Sequence, residues 1–300
     1  MKLWFCHCDP LVVLVFVLGL GPVRAVAGLI VGTDFGNQQQ QNFLAVDPGT
    51  GSVTPLATFG GDMYIPTSSG PANDTILAYS PVNLYQINVG TGAASLYACS
   101  NSSLCASVGD LAYDSSSGVI YGLGRINGAG PEGLFELHDS GMQYPGIPGS
   151  HMISYSWIGY LGVDDISVME FVPGLGLYGV ANGNTPAGFT IDEETGQASF
   201  LTTLSEAGVP YGITGLAYDS DTGRLLASSG TLTGPFGSGP PGAIFLLDPM
   251  DGLMTPLNLD APNLYGIAEV TNIPEPGPAW MLLVGIAACL AVRRFERLAH

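Results

Sequence analysis

The sequence predicts an all-β chain: a β-propeller of about five four-stranded blades closed by its N- and C-terminal strands. An N-terminal signal peptide and a C-terminal transmembrane helix flank it. Three observations predict this. An apolar strand running into a turn of Asp, Gly and Thr recurs five times, at intervals of 41 to 56 residues. A second strand–turn–strand pattern precedes it in several copies. The first and last strands of the region each lack partners of their own.

The first pattern reads Phe43-Leu44-Ala45-Val46-Asp47-Pro48-Gly49-Thr50-Gly51, then Leu84-Tyr85-Gln86-Ile87-Asn88-Val89-Gly90-Thr91-Gly92. It returns at Leu134 to Gly141, at Phe189 to Gly196 and at Ile244 to Gly252, with turns opening at Asp47, Asn88, His138, Asp192 and Asp248. Asp accepts hydrogen bonds from its own following backbone, and Gly supplies a positive φ, so both residue types have a mechanical reason to be there.

The second pattern runs Gly109 to Gly118 into Val119 to Gly124, and Gly215 to Gly223 into Arg224 to Gly230, with weaker copies at Ser167 to Val180 and Thr75 to Pro81. Two hairpins per unit of about 40 to 55 residues is the spacing of propeller blades. Leu264 to Val270 opens a unit that has no further strands, and Leu29 to Thr33 reads as an inner strand with nothing before it. Pairing them completes one unit and removes two exposed sheet edges. The glutamine run Gln38 to Gln41 reads as a loop. The repeat resembles secreted six- and seven-bladed propellers only in its turn, so it implies no activity, and a β-sandwich is the rival architecture.

At the N-terminus, Lys2, the apolar run Leu11 to Leu20 and the small-x-small triplet Ala25-Val26-Ala27 read as a signal peptide cleaved after Ala27. At the other end stand Pro274-Glu275-Pro276, the uncharged stretch Pro278 to Val292, and Arg293, Arg294 and Arg297. Fifteen residues of helix rise about 22 Å, short of a hydrocarbon core of about 30 Å. The arginines favour a cytoplasmic C-terminus. Pro274 and Pro276 hold Glu275 in extended backbone just outside the bilayer. A plain C-terminal anchor and a buried core helix are the alternatives. The chain thus divides into residues 1–27, 28–272 and 273–300.

The order of acidic tripeptide, apolar stretch and basic cluster resembles the PEP-CTERM sorting signal of Gram-negative surface proteins. That resemblance implies recognition of Pro274, Glu275 and Pro276 by a membrane-embedded exosortase, a passing stay in the inner membrane, and release to the cell surface or extracellular matrix. Exopolysaccharide and other surface proteins are the partners it implies.

Composition bounds the region between. From Gly28 to Asn272 there are 22 acidic residues against two basic ones, Arg125 and Arg224, a formal charge of −20. Such a field repels nucleic acid and anionic membrane. Cys99 and Cys105 are the two cysteines of this region and flank a five-residue loop, which in an oxidising compartment reads as a disulfide.

Candidate chemistry is sparse. Asp192 and Glu194, and likewise Asp219 and Asp221, have oxygen spacings that suit Ca²⁺, but both pairs sit where a hairpin turn already calls for Asp. Asp164-Asp165 is an adjacent carboxylate pair in a loop. His138 and His151 are the histidines of the region, and no nucleophile elbow, zinc-protease helix or phosphate-binding loop is present. The expectation is an exported binding or structural module without cofactor or catalytic residue. The alternative is a secreted hydrolase or lyase acting on glycans, with carboxylates brought together at one face.

Overall fold

The structure is a computed structural model that describes Leu29 to Val270, except residues 38–39, 61–64, 71–73, 80–83, 90, 92, 100–107, 126–130, 144–149, 184, 205–211 and 231–241. All described residues fall within one compact unit, Gly28–Ile273. The signal peptide with Ala25 and Ala27, the tripeptide Pro274-Glu275-Pro276, the apolar stretch and Arg293, Arg294 and Arg297 lie outside the described residues. Among those described, no helix is long and apolar enough to cross a membrane.

The described residues form strands, turns and loops. The first sheet runs, in spatial order, β20 (Ile267–Val270), β1 (Leu29–Asn37), β2 (Gln40–Val46) and β3 (Val53–Gly60). The second meander is β4 (Ile65–Ser69), β5 (Thr75–Tyr79), β6 (Leu84–Asn88) and β7 (Ala94–Cys99); the third is β8 (Val108–Asp114), β9 (Val119–Arg125), β10 (Glu132–Asp139) and β11 (His151–Tyr160). These two share one eight-stranded sheet, because β7 and β11 pair in parallel over His151↔Tyr97 to Ile153↔Cys99. A fourth meander comprises β12 (Ile166–Val172), β13 (Gly176–Ala181), β14 (Ala187–Ile191) and β15 (Ala198–Thr203). The fifth comprises β16 (Ile213–Asp219), β17 (Arg224–Ser229), β18 (Gly242–Leu247) and β19 (Met254–Ala261).

The first strand of each meander lies beside the first strand of the next: β20 against β4, β4 against β8, β8 against β12, β12 against β16, and β16 back against β20. The chain therefore closes on itself. Closure is by backbone: β1 pairs antiparallel with β20 from Leu29↔Val270 to Gly32↔Ile267. The expected pairing of the two ends forms, with β20 opening the sheet as its innermost strand and β1 second.

Two expectations are corrected. The glutamine run is not all loop, since Gln40 and Gln41 already belong to β2. In the third meander the turn opens at Asp139, whose Oδ1 accepts the Gly141 amide at 2.8 Å, rather than at His138, which stays in β10 opposite Ser154.

Burial follows position in the meander. Middle strands are covered on both faces and read as unbroken buried runs, as in Leu225 to Ser229 of β17, apolar up to Ala227, and Gly242 to Phe245 of β18. The outer strand β15 has no buried residue, only half-buried and exposed ones. Apolar clusters fill the spaces between meanders. Val168, Tyr178, Leu216 and Phe245 lie between the fourth and fifth, Leu134, Leu161, Met169 and Leu177 between the third and fourth, and Ile30, Leu226, Ile244 and Ile267 between the fifth and first. Each such side chain withdrawn from water is worth about 1.5–3 kcal/mol.

The recurring turn also binds neighbours at the rim. Asp248 accepts the Met250 amide on its side chain at 2.9 Å and the Gly252 amide on its carbonyl at 2.9 Å. Gly252 has φ +72°, and a Cβ there would collide with the Thr203 carbonyl oxygen at the end of β15. The Asp47 turn docks likewise on β19, where Asn258 Nδ2 donates to the Gly51 carbonyl at 3.0 Å. The Asp192 turn abuts β11 at Gly159.

A paired substitution separates backbone strain from close approach. Gly118 has φ +76° but open space around it. Gly118→Ala should cost about 1–2 kcal/mol, the ordinary left-handed penalty. Gly252→Ala should cost clearly more, because β15 must also give way. Urea unfolding at equilibrium measures both; equal losses would mean that the Gly252 contact carries no weight.

Candidate functional site

Of the acids on the strands that line the axis, Asp114 and Asp219 end β8 and β16 and bond to their own turns, which leaves Asp110 on β8, Glu170 on β12 and Glu269 on β20. They are 6%, 4% and 6% exposed, unusual for charged residues in strands. An innermost strand has a hydrogen-bonded neighbour on one side only, so alternate backbone N–H groups face the axis unpaired. The acids meet that need. Asp110 Oδ2 accepts the Met169 amide of β12 at 2.5 Å. Glu170 Oε1 accepts the amide of its own neighbour Phe171 at 2.9 Å, and the Tyr218 amide of β16 also acts on its carboxyl. Glu269 Oε1 accepts both the amide and the hydroxyl of Ser220, at 2.8 and 2.6 Å.

Tyr218 and Ser220 are two residues apart, so their amides point to the same edge. Glu269 thus holds the edge of the fifth meander from the first, while Asp110 ties the third to the fourth. Burial pushes the carboxyls of Asp110 and Glu170 well above the usual range, against the pull of the donating amides. The charges of Asp110 and Glu269 raise Glu170 further. Burial also raises Glu269, and Asp219 and Asp221 add to it, while Ser220 opposes.

A second row of polar clamps lies near the other end of the same strands. Asn182, just after β13, accepts the Ile213 amide at 2.8 Å and donates to the Ile213 carbonyl at 2.7 Å. Thr214 Oγ1 donates to the Leu264 carbonyl at 2.7 Å, tying β16 to the segment leading into β20.

The residues singled out from sequence are not brought together with these acids. Asp192 Oδ1 accepts the Glu194 and Thr195 amides and the Thr195 hydroxyl at 2.8–3.1 Å, and the Thr195 hydroxyl and then its amide hold its carboxyl below the usual range. Glu194 is exposed beside it. Asp219, fully buried, accepts the Asp221 amide at 3.2 Å and the Thr222 hydroxyl, while Asp221 itself is exposed. Among the described residues no group of three or more His, Cys, Asp or Glu is placed to hold a metal ion. Asp165 has φ +66° and accepts the Asn182 amide on its carbonyl. Cys99 closes β7; its side chain and Cys105 lie outside the description.

The two histidines lie in the third meander. His151 Nδ1 is 2.8 Å from Asp139 Oδ2, and its ring stacks on Tyr97 of β7 at 4.7 Å. Tyr97 donates to Gln86 Oε1 at 3.1 Å; burial first, then the charges of Asp139 and Tyr113, push its hydroxyl up to about 12. This cluster stands on the parallel β7–β11 seam.

Sequence reasoning passed over the axial acids because each is a single residue rather than a cluster. The signal was there: one acid inside an otherwise apolar strand, as in Val168-Met169-Glu170-Phe171 and Ile267-Ala268-Glu269-Val270.

Neither a protein-family model nor a curated protein matches the chain. Solved structures do. One chain of a nidogen/laminin complex superposes with a TM-score of 0.50 at 12% identity, covering 81% of this chain and 98% of that one. The fold is β-propeller-like. TolB from Acinetobacter baumannii matches with a TM-score of 0.44 at 13% identity over 81% of this chain and 55% of its own, so this chain spans about half of that protein. A calcium-binding regucalcin from Agrobacterium tumefaciens matches at 0.38 and 17% identity over 73% and 70%. At these identities the likeness shows the propeller fold alone.

The clamp at Asn182 gives a direct test of how the propeller is held. Asn182→Ala leaves an N–H and a carbonyl of Ile213 without their partner. It should lower unfolding stability by about 2–6 kcal/mol, at about 1–3 for each of the two orphaned groups. A loss within about 0.5 kcal/mol, the range of a neutral surface substitution, would show that water replaces the side chain freely.

Proposed function

We propose that this propeller, read as five four-stranded blades, is a binding or structural module of the cell surface or extracellular matrix. In this proposal the chain is exported by its signal peptide, held briefly in the inner membrane by the stretch after Pro276, and processed there by an exosortase-type protease. The observation that carries the module reading is the engagement of the axial acids. Asp110 and Glu269 accept from backbone amides on a neighbouring strand or its turn and Glu170 from its own strand, which suits carboxyls that hold a ring together. The charge of −20 between Gly28 and Asn272 favours solubility outside the cell and attraction of cationic groups on its partners.

One observation favours the rival reading, a secreted hydrolase or lyase acting on glycans. Carboxyls raised by burial are what a general acid at neutral pH requires. Against it, the same carboxyls are occupied by amides and face the strands rather than an open cleft.

Two experiments test the reading. Incubation with a panel of acidic and neutral glycans should give retention without cleavage; turnover that vanishes in Glu170→Gln would overturn the module reading in favour of the enzyme. Replacing Pro274 and Glu275 together by Ala in the native host should leave full-length protein in the inner membrane fraction. Unchanged processing would contradict the sorting route while leaving the propeller reading intact.

A further inference from the structure

We propose that the aromatic row along β11 is a docking surface for a neutral polysaccharide, whose sugar rings stack on Tyr155, Trp157 and Tyr160. Register makes the row. Tyr155 stands opposite Leu137 and Trp157 opposite Phe135, and a one-residue bulge then sets Tyr160 opposite Gly133. Leu137, Phe135 and Gly133 are alternate residues of β10, so the three aromatic residues share one face of this outer strand. Without the bulge, Gly159 would stand where Tyr160 does.

The rings are packed from below and open above. Buried Phe135 meets Tyr155 edge-on at 6.0 Å and Trp157 at 4.8 Å, and Trp157 meets Tyr160 at 4.9 Å. The indole lies against Gly133, where a Cβ would overlap it. Yet Tyr160 is 54% exposed, and Tyr155 and Trp157 are half-buried. Among the described residues, neither tyrosine hydroxyl nor the indole N–H has a hydrogen-bond partner. Amphipathic rings with unpaired tips suit a ligand that carries both an apolar face and hydroxyls.

Charge and area select the occupant. A sugar ring offers a face of C–H groups, slightly positive, to the negative face of an aromatic ring, and hydroxyls at its edge. The charge of −20 between Gly28 and Asn272 repels an anionic chain, so the sugar is uncharged. A basic peptide is the competing occupant, and the geometry disfavours it. Cations are held by rings that enclose them, whereas these rings form a row on one face of a strand. The acid on that face, Asp139, already bonds His151 at 2.8 Å, and Glu136 stands opposite Ser156 on the other face. A folded protein partner needs about 800 Å² per side. Three aromatic residues supply less, at about 150–250 Å² each even when wholly covered.

This surface presupposes the binding module proposed above, and the test keeps the two apart. The full chain is titrated with cellohexaose and maltohexaose as neutral probes, oligogalacturonate as an acidic one and pentalysine as a basic peptide. Trp157→Ala, Tyr160→Ala and the control Phe200→Ala, an exposed aromatic of β15, are titrated alongside. A neutral hexamer should bind wild type and the control alike, and about tenfold more weakly to Tyr160→Ala and Trp157→Ala. Trp157 is the one tryptophan between Gly28 and Asn272, so its fluorescence should change as sugar stacks on it. Should Trp157→Ala not fold, the exposed Tyr160→Ala decides. Equal binding of a hexamer by every variant would leave the module standing and overturn the aromatic surface. Binding of oligogalacturonate or pentalysine alone, or of no probe, overturns the neutral-glycan assignment. Cleavage of a bound hexamer would instead overturn the module reading itself.

Discussion

A strand beside the axis of a closed ring has one paired edge and one bare edge. That constraint shapes the whole molecule. Bare amides inside a protein are costly, at about 1–3 kcal/mol each, and no further strand can reach them without filling the axis. Here side chains from neighbouring innermost strands take the place of the missing strand. Asp110 serves Met169 and Glu269 serves Ser220. Carboxylates suit the task because each offers two acceptor oxygens and no donor. Their own burial is the accompanying cost, and the raised carboxyls record it.

The rim is held by a different chemistry. There the repeated Asp-to-Gly turn folds on itself first and then presses against the outer strand of the preceding blade, as Gly252 does against Thr203 and Gly51 against β19. Axis and rim together fix each blade at both ends, with apolar clusters filling the wedge between. The parallel contact of β7 and β11 is a further tie at the rim, specific to one pair of blades. Tyr97 and His151 stack across it.

Much of this could be read from the sequence, and the reasons are local. The turns were legible because Asp and Gly have few other reasons to recur at such spacing, and the closing strand was legible because Leu264 to Val270 would otherwise be an orphan. The register of the turn at His138 was not, since His138-Asp139 offers two turn-forming residues and only the amide of Gly141 decides between them. The axial acids were passed over for a deeper reason. Their partners are backbone groups some 50 to 60 residues away, and backbone carries no letter in the sequence. The turn acids drew attention by clustering, yet Asp192 and Asp219 spend their oxygens on their own turns.

Amide hydrogen exchange at Met169 and Ser220 tests the central claim most directly. If carboxyls from neighbouring blades occupy the bare edges, these amides should exchange nearly as slowly as those of the middle strand β17, through openings close to the global one. Exchange as fast as that of exposed edge amides such as those of β15 would mean that the edges are bare and that the ring is held by its apolar wedges alone.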